Sequence, residues 1–202
     1  MAKKIDSLWK LRVLGLNTPN FKILKSILDV DYFFNRTDWR RISIRTDVKN
    51  SARGISQFGL PFFPNLDYLE ARKLLLGDTI PIYNLDIIVS EGINPDDALL
   101  SGKIMIRNEL RGDLEYTLGA STVRSLDQII PERYTVELSD YRNIPLLKFP
   151  IPLEKLIYQI RQILLPSFPT PFIIEFSVYS HPVGRLKNRL IYWEVMPMPL
   201  PL

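Results

Sequence analysis

The chain has 202 residues and a mass of 23.5 kDa, with 46% hydrophobic and 24% charged residues, a balance that supports a real core in one domain or two small lobes. It has no cysteine and a single histidine, His181, which excludes disulfides, thiolate zinc sites, cysteine nucleophiles and multi-histidine metal centres. Net charge is +4 with a pI near 9.2, compatible with an anionic small ligand or a weak nucleic-acid surface and decisive for neither. No apolar run reaches the length of a bilayer span, and the Met-Ala-Lys-Lys start lacks a signal-peptide core, so a cytoplasmic location away from membranes is expected.

In chain order, residues 4–14 place Ile5, Leu8, Trp9 and Leu11 near one side and predict a helix, ended by Gly15 as its C′ residue. Phe21–Leu24 reads as a short strand, followed by a helical segment to about Leu28. Arg36, Arg40, Arg41, Arg45, Lys49 and Arg53 form a basic stretch near Tyr32, Phe33, Phe34 and Trp39. It is a solvated edge, a phosphate-binding face or a stacking surface for single-stranded nucleic acid. Arg41–Thr46 alternates strictly and predicts a strand with Ile42 and Ile44 inward. Residues 47–64, with Gly54, Gly59, Pro61 and Pro64, read as a long ordered loop. A helix over Asn65–Leu76 is expected, with Leu66, Leu69 and Leu74–Leu76 in the core. Strands follow at Asp86–Glu91, Gly102–Arg107, Asp113–Leu118 and Tyr134–Leu138. The longest helix signal is Pro152–Leu165, with Pro152 in its first turn. The fold class is α+β with mostly antiparallel sheets.

The end of the chain carries the strongest chemical signal. Phe172–Val178 and Leu190–Val195 are two apolar runs, each with one acidic residue, Glu175 and Glu194, separated by a polar Gly-containing turn. The Met196–Leu202 tail that follows is expected to be extended. A carboxylate in an apolar strand costs several kcal/mol unless it is paired or bound to a cation. Two on neighbouring strands repel unless a metal or a shared proton sits between them. Carboxylates completed by water and phosphate are what Mg²⁺ prefers. The alternative is that both glutamates point to solvent from the open face of a hairpin.

Taken in order, these pieces resemble the ATP-grasp superfamily, and most of all the nucleotide-binding domain of phosphoenolpyruvate synthase and pyruvate phosphate dikinase. The likeness runs from Lys4 and Leu14-Gly15-Leu16-Asn17-Thr18-Pro19-Asn20-Phe21 through Ile42-Ser43-Ile44-Arg45-Thr46-Asp47 to Ile87–Ile93. It continues in Ser101-Gly102-Lys103-Ile104-Met105-Ile106-Arg107-Asn108, in Asp113–Gly119, and in the pair Ile174-Glu175-Phe176 and Tyr192-Trp193-Glu194. The resemblance implies two α+β lobes, roughly 1–85 and 86–202, with ATP between them and Mg²⁺ on the acidic pair. Lys4 and Arg45 would contact phosphates, and Val89, Ser90 and Glu91 would meet the adenine. Arg107 would face the γ-phosphate, and Glu175 and Glu194 would hold the metal.

Four features depart from the family pattern. The 51–63 loop has only Gly54 and Gly59, and Ile173 replaces an acidic residue. Glu194 stands where a Gln is usual, and Met196 where an arginine is usual. His181 does not match a phosphohistidine context, and no catalytic residue or phosphate acceptor is identified. The expectation is therefore an ATP- and Mg²⁺-dependent phosphotransferase or ligase acting on a small substrate, alone or with a partner subunit or second copy. The alternatives are a nucleotide-binding or structural module without turnover, and a basic nucleic-acid-binding protein.

Overall fold

A computed structural model describes residues 4–48, 62–77, 80, 85–94, 97–118, 132–138, 153–179 and 190–198. The chain divides into two compact units, Pro19–Pro95 and Met1–Thr18 with Asp96–Leu202. Leu85 begins a central strand of the smaller unit, which pairs on both sides with earlier strands.

The smaller unit is a four-stranded sheet with two helices. Its strands β1 (Phe21–Leu24), β2 (Arg41–Val48), β3 (Phe62–Asp67) and β4 (Leu85–Glu91) lie in the order β1-β4-β2-β3, every pair antiparallel. Alternation in β2 sends Ile42 and Ile44 fully inward, as expected, to meet Val30, Phe33, Ala71, Leu75, Ile87 and Val89. Helix α1 (Lys4–Val13) belongs to the other unit, and the first helix here is α2 (Ile27–Phe34).

Three expectations change. Where helix was expected to end, near Leu28, α2 has only begun. Ser26 is its N-cap, accepting from the Asp29 N–H at 3.2 Å, and the apolar face runs on through Val30, Phe33 and Phe34. The expected loop gives way at Phe62 to strand β3, an edge strand that admits Pro64 because the register shifts there. At that bulge Asn65 adopts φ 52° and donates its N–H to Ser43 Oγ at 3.0 Å. Helix α3 (Tyr68–Leu76) consequently starts at a capping box of Asp67 and Glu70 rather than at Asn65. Its buried residues are Ala71 and Leu75, and Leu69 and Leu76 face solvent.

The larger unit is a five-stranded antiparallel sheet in the order β7-β6-β5-β8-β9. The strands are β5 (Ala98–Ile106), β6 (Arg111–Leu118), β7 (Glu132–Glu137), β8 (Phe172–Tyr179) and β9 (Leu190–Pro197). One face is apolar. Leu100, Ile104, Ile106, Leu114, Phe172, Ile174, Phe176 and Tyr192 pack against Leu11 of α1 and against Leu156, Ile157, Ile160 and Leu164. Those last four come from helix α4 (Leu153–Gln159) and its π-helical continuation Ile160–Leu164, which ends in the short turn Leu165–Ser167. Widening the helix before Pro166 avoids the clash a proline ring makes with the carbonyl four residues back. Pro152, residues 180–189, expected as a turn, and residues 49–61, expected as part of a loop, lie outside the described residues.

Helix α1 closes the outer edge of β9. Ser7 Oγ accepts from the Val195 N–H, the Asn17 carbonyl accepts from the Tyr192 N–H at 2.9 Å, and Asn17 Nδ2 donates to the Leu190 carbonyl at 2.9 Å. An edge strand covered this way presents no template for aggregation. The inward line of α1 is Ser7, Leu8 and Leu11. Trp9, expected in that line, is exposed. Gly15 takes φ +72° and ends the helix, as expected. No described helix is long and apolar enough to cross a membrane.

Candidate functional site

The second face of the larger unit's sheet is polar, and register organises it. Backbone pairing aligns Arg133 of β7, Glu115 of β6, Lys103 of β5, Glu175 of β8 and Glu194 of β9 in one lateral row. Because direct cross-strand partners share a face, the five charged side chains stand side by side, about 4.8 Å per strand. Gly102 lets β5 and β6 approach. A Cβ there would stand 2.7 Å from the Glu115 carbonyl oxygen and 2.9 Å from Tyr116 Cβ.

Within the row, charges on one side are matched. Glu115 accepts from Arg133 Nε on one oxygen and from Lys103 Nζ on the other, each at 2.9 Å. Glu115 is thus the anchor of two cations. On the other side Glu175 and Glu194 are direct partners, with Cβ atoms about 5 Å apart. Glu194 is only 5% exposed. The bulge between Glu175 and Phe176 is where Trp193 enters, and its Nε1 donates to Ser177 Oγ at 2.8 Å.

The neighbouring rows bracket this one. On one side lie Thr117, Ser101 and Ser177, with the two serine hydroxyls 2.9 Å apart. On the other lie Asp113, Met105, Ile173 and Met196, of which only Asp113 is charged. Arg107 stands just past the end of β5, about 13 Å along the strand direction from Lys103. Its guanidinium pairs with Asp113, which also accepts from Thr135 Oγ1 at 3.2 Å. On the apolar face Tyr192 donates to Gln159 Oε1 at 2.8 Å, and burial pushes its phenol well above the ordinary value.

Lys4 opens α1, partly buried, one turn before Ser7. The remaining expected residues lie in the smaller unit. Arg45 of β2 stacks its guanidinium over the Phe62 ring at 4.5 Å. Val89 and Ser90 sit in the central strand β4, Val89 fully buried. Glu91 ends β4. Its N–H donates to the Asn20 carbonyl at 2.8 Å, and its Oε2 accepts from Asn20 Nδ2 at 3.0 Å. The stacking aromatics of the basic stretch are committed elsewhere. Phe33 and Phe34 are buried, and Trp39 packs edge-on against Phe33. Tyr32 alone of the four is exposed, with Arg36 above its ring at 4.4 Å. Lys49, Arg53 and His181 are outside the described residues.

The sequence reading missed Lys103 and Arg133. Their signal is weak, since a lysine and an arginine on exposed strand positions are ordinary until register places each beside the same carboxylate.

The donor set suits a hard cation. Two adjacent carboxylates offer only oxygen, and among the described residues no group of three acidic or histidine side chains forms. Mg²⁺ accepts one or two protein carboxylates and fills its octahedron with water and phosphate oxygens. A structural zinc site would need four protein ligands.

No sequence-family model matches the chain, and no curated relative matches it. Solved structures do match. N5-carboxyaminoimidazole synthetase from Staphylococcus aureus, complexed with ADP, superimposes with a TM-score of 0.55 at 17% identity. The match covers 98% of this chain and 45% of that one. A second N5-carboxyaminoimidazole ribonucleotide synthetase, also an ADP complex, gives 0.53 at 13% identity over 98% of this chain and 45% of its own. The macrocyclase MdnB from Microcystis aeruginosa gives 0.50 at 13% identity over 95% and 50%. The chain therefore spans about half the length of these enzymes or less. These similarities show the fold, which is α+β and ATP-grasp-like, with two mostly antiparallel sheets.

Proposed function

We propose that this chain binds ATP with Mg²⁺ on the polar face of its five-stranded sheet and serves an ATP-dependent ligase or phosphotransferase acting on a small molecule. The observation that carries the reading is the register of β8 and β9, which sets Glu175 directly opposite Glu194. Two carboxylates so placed offer oxygen donors side by side from adjacent strands, the ligand type that Mg²⁺ takes together with water and phosphate oxygens. Ligase chemistry is favoured over a phosphoenolpyruvate synthase-type transfer, because the similar structures above are two synthetases and a macrocyclase.

In this reading Glu175 and Glu194 would hold the metal, which when bound neutralises phosphate charge and orients the polyphosphate. Arg45, with its planar fork of donors, and Lys4 would bind phosphates, and Arg107 would take the γ-phosphate end. Val89, Ser90 and Glu91 would contact the adenine. With the Glu91 N–H on Asn20 and the Gly92 N–H on Arg41, those contacts would come through carbonyl oxygens and the Glu91 carboxylate. A cytoplasmic setting and a partner subunit or second copy are part of the proposal.

A second reading, binding without turnover, is favoured by the row beside the carboxylate pair. Met196 stands there opposite Ile173, both apolar, where the family resemblance places an arginine and an acidic residue. Calorimetric titration with ATP tests both. Micromolar, Mg²⁺-dependent binding is expected, equivalent to about 8 kcal/mol, and ADP release on adding a pool of candidate acceptors separates enzyme from module. No binding up to millimolar ATP defeats both readings.

A further inference from the structure

We propose that Ser177 is a positioning residue for the carboxylate pair: by holding the indole of Trp193, it leaves Glu194 to stand opposite Glu175. The inference rests on the reading of that pair as a metal site and adds to it the contact that puts the second carboxylate in place.

Strict alternation does not bring Glu194 to this face. Tyr192 of β9 belongs to the apolar core, and a strand alternating from it would turn Glu194 inward and Val195 outward. Val195 is nevertheless in the core as well, three residues after Tyr192. The register shows how. Tyr192 lies opposite Phe176 and Glu194 opposite Glu175, so Trp193 is the extra residue of a bulge. Its indole reaches Ser177, which shares the polar face with Glu175 two residues away. Two consecutive side chains, Trp193 and Glu194, therefore occupy one strip of the polar face.

The core anchors on either side do not decide how the strip is shared. Tyr192 is tied by its phenol to Gln159 and by its N–H to the Asn17 carbonyl, and the Val195 N–H is held by Ser7 Oγ. These contacts fix the two halves of β9 and touch neither side chain between them. The bond from Trp193 Nε1 to Ser177 Oγ at 2.8 Å does. It draws the indole toward Ser177, about 7 Å along β8 from Glu175, and leaves the nearer end to Glu194.

Ser177 suits that hold. It is buried, and its Oγ lies 2.9 Å from the Oγ of Ser101, buried on the neighbouring strand. A hydroxyl accepts on two lone pairs and donates one hydrogen, so Ser177 can bond the indole and Ser101 together. Once the indole is released, the pair is assembled in only a fraction of molecules, and apparent metal affinity falls by that fraction.

The test is titration of the full chain with Mn²⁺ alone, followed by electron paramagnetic resonance of the free ion. The proteins are the wild type, Ser177→Ala, Trp193→Phe and the double variant. One single variant removes the acceptor of the bond and the other its donor. Each is expected to bind Mn²⁺ about tenfold more weakly, and the double variant no more weakly than the weaker single, because both act through one contact. Indole ¹H–¹⁵N spectra supply a readout that a general loss of structure does not reproduce. Three tryptophans give three signals, and Trp193→Phe identifies the one from Trp193. In Ser177→Ala that signal is expected to move upfield while those of Trp9 and Trp39 stay in place. Wild-type affinity in either single variant, losses that add in the double, or an unmoved Trp193 signal overturns the inference while leaving the metal site standing. If one single variant fails to fold, the other decides, since unchanged Mn²⁺ affinity in it overturns the inference. No Mn²⁺ binding by the wild type removes the metal site itself, and this inference with it.

Discussion

The two units treat charge in opposite ways. In the smaller unit each candidate is settled on a neighbour of its own: Arg45 over the Phe62 ring, Glu91 on Asn20, Arg41 on the Asn65 carbonyl at 3.4 Å. These contacts are compatible with folding by themselves and require no ligand. In the larger unit five strands bring their charges into one row, and that row ends in two carboxylates set against each other. Packing of the apolar face does not require the two carboxylates to be direct partners. The smaller unit's contacts are explained by packing, whereas the carboxylate pair is where the proposed metal binding can be tested.

That contrast breaks most readily at the carboxylates. Glu175→Gln with Glu194→Gln should weaken Mg²⁺-dependent ATP binding by at least about a hundredfold, or about 2.7 kcal/mol, in calorimetry. The metal-free protein should melt at the same temperature or higher, by about 2–4 °C for each kcal/mol of repulsion relieved. A fall of several degrees would instead make the pair a structural element. Gly102→Ala attacks the same row through the backbone. The added methyl meets the Glu115 carbonyl and Tyr116 Cβ, and overpacking of this kind costs about 2 kcal/mol. Thermal denaturation should show a drop of about 4–8 °C, and an unchanged midpoint would mean that β5 and β6 part easily.

Arg45→Ala probes the smaller unit. ATP affinity should fall about tenfold, or 1.4 kcal/mol, while Mn²⁺ binding measured without nucleotide stays at the wild-type value. If Mn²⁺ affinity falls as well, the roles assigned separately to Arg45 and to the carboxylate pair are not independent.

How far the sequence reveals this depends on distance along the chain. The strands that became β2, β4, β8 and β9 are legible because each carries its own alternation or apolar run, and the Gly15 helix end because one residue type suits its φ. Pairing of Glu175 with Glu194 is foreseeable because one hairpin joins them. The Arg133–Glu115–Lys103 half of the row is not. Glu115 lies 12 residues from Lys103 and 18 from Arg133, so it takes three strands in register to show that they touch. Pattern also misplaces what context decides. Trp9 and Leu69 are strongly apolar yet exposed, and Pro64 argues against a strand until an edge bulge makes room for it. Ser7 reads as an ordinary helix residue, and only the arrival of β9 gives its hydroxyl the Val195 N–H to hold.

The smallest expected effect is also the most local. Asp29 sits in the first turn of α2, where its Oδ2 accepts from the Lys25 N–H at 2.9 Å. That backbone bond is the main reason its carboxyl titrates below the ordinary value, helped by the Ser26 hydroxyl and N–H and opposed by slight desolvation. A depressed carboxyl pKa stabilises the fold above the unfolded-state value, about 3.9, and loses that contribution as pH falls through the lower folded-state value. Solvent screening at this exposed position keeps the effect near about 0.5 kcal/mol. Asp29→Asn should accordingly lower the melting temperature by about 1–2 °C at pH 7, and the difference from wild type should shrink as pH falls below the unfolded-state value. ATP and Mn²⁺ binding should not change in this variant, because the contact completes within one helical turn of the smaller unit and reaches none of the charged row.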